Sequence, residues 1–150
     1  MDDHHGPAGH PVLAALGSAR AALKDVRDVQ PTFMTTTAKR QALLEVTALQ
    51  AQVAELRSRL LASAGDVAED DGARDVGAWV SQHTRCDLRT GRADVDLATA
   101  LDRKWSRLAA GMADGTVSPA QAKVIVDALD ALPADLSSGM VGRAEEMLIG

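Results

Sequence analysis

The chain has 150 residues, 46% hydrophobic and 25% charged, with a formal net charge of −5. That is the size of one domain with a single core, and the acidic balance works against non-specific binding to DNA or an anionic membrane. Aromatics are only 2%, namely Phe33, Trp79 and Trp105, and neither Tyr nor Asn occurs, so a core mainly of Ala, Leu and Val is expected; this argues against a β-sandwich or barrel and against any enzyme that needs a Tyr or Asn catalyst.

Residues 1–10, with His4, His5 and His10, read as a disordered, solvated tail. These histidines have no surrounding groups to fix them on a metal ion. The first helix is expected over about Pro11–Asp28, where Val12, Leu16, Ala19, Leu23 and Val26 recur at helical spacing. The second is expected over about Thr37–Ala64, capped by Thr36 or Thr37 and closed by Gly65 in a left-handed conformation. Its Val46, Leu49, Val53, Leu56 and Leu60 follow heptad-like spacing. A helix of that length reaches about 42 Å at 1.5 Å per residue. It is long enough to pair with the first helix as a hairpin or with another chain.

Residues 65–73 read as an acidic loop, and a third helix follows over about Arg74–Thr84 with Val76, Trp79 and Val80 on one side. A fourth runs from Asp87 to about Leu101 and buries Ala93, Leu97, Ala100 and Leu101. A fifth spans about Arg103–Ala113, with Trp105, Leu108 and Met112 on its face and Gly115 at its end. Ser118-Pro119-Ala120-Gln121 is a capping box with proline at the first helical position. It starts a sixth helix whose apolar face is Val124, Ile125, Ala128, Leu129 and Leu132. A last helix begins near Leu136 and reaches the C-terminus. The expectation is an all-α fold of six or seven helices. A long N-terminal helical hairpin precedes a cluster of short helices, and residues 11–150 form one helical domain.

Chemistry is sparse. The single cysteine, Cys86, cannot form an intrachain disulfide, which suits a reducing compartment. There is no basic start followed by an apolar run and no membrane-length apolar stretch, so a cytoplasmic location is expected. His83 and Cys86 are close in sequence, but a nucleophile and its base also need a third orienting group. Asp66, Glu69, Asp70, Asp71 and Asp75 lack the order of a calcium-binding loop. Phosphate-binding, zinc-protease and serine-hydrolase motifs are absent. An HNH nuclease core is excluded too, because only His83 remains beyond residue 10 and there is no Asn. No catalytic residue, cofactor, metal or small-molecule substrate is inferred.

Two surfaces remain. The basic residues Arg85, Arg89, Arg92, Arg103, Lys104 and Arg107 are candidate DNA contacts, although Asp94, Asp96 and Asp102 interleave with them as on a solvated face. The run Val46, Leu49, Val53, Leu56 and Leu60 is a candidate interaction face. Trp79 and Trp105 read as anchors at helix junctions rather than as a stacking platform for bases.

Three segments then carry a resemblance. Gly72-Ala73-Arg74-Asp75-Val76-Gly77-Ala78-Trp79-Val80 resembles the GARSVAAWL segment of the family called domain of unknown function 222. The stretch from Leu108 to Ser118 resembles its ALAAGELS segment. Gln121-Ala122-Lys123-Val124-Ile125, followed by Ala131-Leu132-Pro133, resembles its QARVI…LP helix. The similarity covers about residues 12–150. Thr84-Arg85-Cys86-Asp87 and Arg103-Lys104-Trp105 depart from the pattern. The family is typically the N-terminal helical region of longer bacterial proteins, many of which end in an HNH endonuclease domain. The resemblance therefore implies a non-catalytic module that positions or regulates a nuclease on DNA. It also implies that the chain is incomplete relative to the family. The alternatives are a protein-interaction or dimerisation module acting through the long helix, giving a homo-oligomer, and a stand-alone DNA binder of the helix-turn-helix kind. No membrane partner is expected.

Overall fold

The computed structural model describes residues 9–150. His4 and His5 lie outside the described residues. Those described contain eight α-helices and no strand, so the chain is all-α. They divide into two compact units, with the boundary between Arg40 and Gln41. No helix among the described residues is long and apolar enough to cross a membrane.

In the first unit, α1 covers Pro11–Asp25. His10, expected in the tail, is its N-cap: the backbone N–H of Val12 donates to His10 Nδ1 at 3.2 Å. Pro11 occupies the first helical position, where its missing N–H costs nothing. The helix ends earlier than Asp28 because Val26 and Arg27 donate back to the carbonyls of Leu23 and Lys24, both at 3.3 Å. These tighter bonds close the last turn. Val12, Leu16 and Ala19 are half-buried, whereas Leu23 and Val26 are exposed. A single 3₁₀ turn at Pro31–Phe33 follows. Helix α2, Thr36–Ala62, then starts on Thr35 rather than on Thr36 or Thr37. The Thr35 hydroxyl oxygen accepts from the Ala38 N–H at 3.1 Å.

The second unit holds the remainder of α2 and six further helices. These are α3 (Gly65–Asp70), α4 (Val76–Thr84), α5 (Leu88–Arg103), α6 (Ser106–Ala113), α7 (Pro119–Asp130) and α8 (Ser138–Ile149). The expected acidic loop is thus helix α3. Asp66 suits the positive N-terminal end of its dipole, and Ala68 is its buried residue. Gly65 begins this helix instead of closing α2. The left-handed glycine is Gly72, at φ 67°. The Gly72 N–H reaches the Glu69 carbonyl at 3.1 Å and the Ala73 N–H reaches that of Ala68 at 2.8 Å. This pair of bonds is a Schellman closure. Gly115 closes α6 in the same way, at φ 78°, as its position predicts. A Cβ on Gly115 would lie 2.8 Å from Cβ of Ala48, so this turn also needs glycine for its approach to α2.

Side-chain caps set the other starts. Asp75 accepts from Ala78 at 2.8 Å before α4, and Ser137 precedes α8. The capping box of α7 is complete, with Gln121 N–H donating to Ser118 Oγ at 3.2 Å and Ser118 N–H to Gln121 Oε1 at 2.9 Å. Asp87 caps α5, and the Thr90 backbone amide, then its hydroxyl, hold the Asp87 carboxyl below the usual range. A depressed carboxylate contributes stability above its unfolded pKa, and that contribution is lost as pH falls through the folded value.

Helix α6 lacks a local cap. It begins at Ser106, not Arg103, and its N-cap residue Trp105 makes no side-chain bond to it. The buried Glu145 of α8 supplies the acceptor, with Leu108 N–H donating to Glu145 Oε1 at 3.0 Å. A carboxylate at a helix N-terminus is favoured by charge and by hydrogen bonding.

The main core joins α5, α6 and α7 through Leu101, Trp105, Leu108, Met112, Ile125 and Leu129, with Val141, Ala144 and Ile149 of α8 packed against it. Trp105 is buried as expected, and its Nε1 has no hydrogen-bond partner among the described residues. On α7 the buried face is Ala122, Ile125, Val126 and Leu129. Val124 is 68% exposed and Ala128 is also exposed, so the expected face is rotated by about one position. Ala93 of α5 is exposed, and Ala98 is buried with Leu61 and Val80 in a second cluster. Helices α4 and α5 meet backbone to backbone: a Cβ on Gly91 would lie 2.6 Å from the Gly77 carbonyl oxygen.

Two outcomes follow from this packing. Gly91→Ala has nowhere to place its methyl and lowers stability by about 1–3 kcal/mol through overpacking. Gly17→Ala, whose Cβ meets nothing within 4 Å, does not destabilise. Urea unfolding of both variants distinguishes them. Glu145→Ala strands the Leu108 amide and costs about 1–3 kcal/mol. Glu145→Gln keeps an oxygen acceptor and loses less, as read by the same measurement.

Candidate functional site

Helix α2 has two dissimilar sides within the second unit. Its inner side is small and fastened. Ala51 and Glu55 are buried, and Ala48 and Ser58 are half-buried. Glu55 Oε1 is paired with Arg59 Nε at 2.8 Å, one turn on. Gln52 Nε2 donates to the Ala113 carbonyl at 3.2 Å, and Arg57 Nη1 reaches Asp94 Oδ2 of α5 at 2.9 Å. Together with the Ala48–Gly115 approach, the Gln52 and Arg57 contacts fix the rotation of α2 about its own axis.

The opposite side carries the heptad-spaced run. Val46, Val53 and Leu60 are 45%, 47% and 46% exposed, and Leu49 and Leu56 are half-buried. The five side chains form one stripe about 21 Å long at 1.5 Å per residue. An apolar stripe left open is the kind of surface that meets another macromolecule. At its C-terminal end, Leu60 also lines a groove of about 460 Å³ with Leu61, Val67, Trp79 and Val80. Nothing in the linear spacing joins residues of α2, α3 and α4 in this way, so sequence reasoning missed the groove.

The six basic residues are dispersed over α4, α5 and α6 and their ends. Arg85 follows α4 in a left-handed conformation, at φ 56°. Arg89, Arg92 and Arg103 lie on one side of α5, with Asp96 between them. Arg92 is 3.7 Å from Asp75. Arg103 and Lys104 were expected on the helix with Arg107, but Arg103 is the last residue of α5 and Lys104 its C-cap. The chain extends α5 past Leu101 before it turns at Trp105. Arg107, on α6, is held by Glu146 at 2.6 Å and by the Gly142 carbonyl at 3.2 Å. Arg85, Arg89, Arg103 and Lys104 form no ion pair among the described residues.

The other candidates have local partners. The His83 ring stacks on Trp79 with centroids 4.4 Å apart, and its Nδ1 lies 2.9 Å from the Trp79 carbonyl oxygen. The Thr84 hydroxyl, 3.5 Å away, is the hydrogen-bond donor to Cys86 Sγ. Half-buried Trp79 donates its Nε1–H to Asp71 at 2.6 Å, so Asp71 and Asp75 both serve α4. Among the described residues, no group of three or more His, Cys, Asp or Glu side chains is placed to hold a metal ion.

No curated protein and no solved structure matches this chain. One family model does, over residues 36–150. The match starts with α2, so α1 lies outside it, and the similarity is narrower than the expected 12–150. Covering more than half of the sequence, it establishes that the chain belongs to the family described as domain of unknown function (DUF222).

Proposed function

We propose that this chain is a non-catalytic helical module that works by association with another macromolecule, and that the stripe on α2 is its working surface. The carrying observation is the contrast between the two sides of α2. Small residues and side-chain hydrogen bonds fasten one side, while Val46, Val53 and Leu60 stand open on the other. Such a surface costs solubility unless something covers it. The resemblance to the N-terminal region of longer bacterial HNH endonuclease-like proteins suggests the setting: the module positions or regulates a nuclease on DNA and leaves the chemistry to another domain.

A second reading, direct DNA contact, is favoured by Arg89 and Arg103. They lie about four turns apart on one side of α5, without an ion-pair partner among the described residues. It predicts a mobility shift at low salt that is lost in the Arg89→Ala, Arg103→Ala double variant.

For the main reading, Val53→Lys with Leu60→Lys keeps the circular-dichroism spectrum and changes stability by less than about 1 kcal/mol, as surface substitutions do. Unfolding of that variant shows that the stripe is core, and the reading fails. Purified chain leaves plasmid DNA intact with Mg²⁺ or Mn²⁺, and cleavage would overturn the non-catalytic assignment.

A further inference from the structure

We propose that the stripe pairs with the same stripe of a second copy, with the two α2 helices antiparallel about a twofold axis at the level of Ala51. This rests on the reading of α2 as an interaction surface and names its partner. Three observations lead to it.

The first is the period. Steps of three and four residues from Val46 to Leu60 place five apolar side chains on the seam of a two-helix coiled coil, and only a helical partner matches that repeat along its length. The second is that the helix has no freedom to turn the stripe inward. Its opposite side is seated through Ala51 and Glu55, and the Gln52 and Arg57 contacts brace its two flanks.

The third is charge, which selects both the partner and the direction. Glu45, Gln52 and Arg59 line one edge of the stripe at seven-residue intervals. In the antiparallel register Val46 of one copy meets Leu56 of the other, and Leu49 meets Val53. Glu45 then faces Arg59 of the second copy, and the twofold axis makes this pair twice. In a parallel pair, Glu45 faces Gln50 and Gln52 faces Arg57, so no opposite charges meet. Glu45 forms no ion pair among the described residues. Arg59 spends its Nε on Glu55, and its side chain is 63% exposed. A guanidinium has further N–H groups beyond Nε, which are available to a carboxylate of the second copy. A twofold contact of this kind uses one patch on both chains and closes without forming a filament.

The experiment uses the full chain with Cys86→Ala to remove the native thiol. Val46→Cys chains are mixed with Leu56→Cys chains under mild oxidation, and the mass of the cysteine-free protein is followed by sedimentation across concentration. The expected result is a mass rising toward that of two chains, with a disulfide between residue 46 of one chain and residue 56 of the other. Val53→Lys with Leu60→Lys raises the dissociation constant at least about tenfold. Glu45→Lys raises it by about 2–30-fold, the weight of two surface ion pairs. Preferential disulfides between two Val46→Cys chains indicate parallel pairing and overturn the register. A strict monomer at millimolar concentration overturns self-association altogether. In that case a folded Val53→Lys, Leu60→Lys variant still leaves the stripe as a surface for a different partner, so the two failures are distinguishable.

Discussion

With two tryptophans, one phenylalanine and no tyrosine, this chain cannot fill wide gaps between helices, so its helices must approach closely. The contact between Gly91 and the Gly77 carbonyl is the clearest instance: a Cβ on Gly91 would fall 2.6 Å from that oxygen. The same demand appears where Gly115, at the end of α6, meets Ala48 of α2. Dispersion forces fall off steeply with distance, and small residues allow many weak contacts at close range. The arrangement leaves little tolerance: an added methyl at Gly91 must displace backbone, and one at Gly115 meets an alanine side chain that has no rotamer to move away.

Close packing on one side of α2 also explains its other side. A helix seated through Ala48, Ala51 and Ser58 sits low on its neighbours, and its larger apolar residues are left on the far face. Val46, Val53 and Leu60 are therefore open because the small residues were the ones selected for contact within the unit. The seven-residue repeat on that face would be an odd outcome of chance solvation, since solvated helix faces normally carry charge.

The helices themselves were readable from the sequence where a local signal acts alone. The capping box at Ser118, the glycine stop at Gly115 and the Trp105–Leu108–Met112 face depend on neighbours within a few residues. The failures came where a choice depends on contacts far along the chain. Gly65 and Gly72 are equally good stops by composition, and the buried Ala68 between them decides for Gly72. On α7, Val124 and Val126 fit the apolar period equally well, and the position of α5 and α6 decides for Val126. Glu55 and Glu145 carry charge, and charge reads as exposure, yet both are buried. The stripe residues were legible as a set from spacing. Their exposure was not, because it depends on which side of α2 the rest of the unit occupies.

The Glu145–Leu108 hydrogen bond joins residues 37 apart in sequence. An eight-residue helix such as α6 is too short to persist by itself in water, and its first turn borrows the acceptor it lacks. Formation of α6 and docking of α8 are thus one cooperative event rather than two. Fraying at the C-terminal helix is transmitted to the middle of the core, and the Leu108 amide gains or loses protection from solvent exchange together with the far end of the chain.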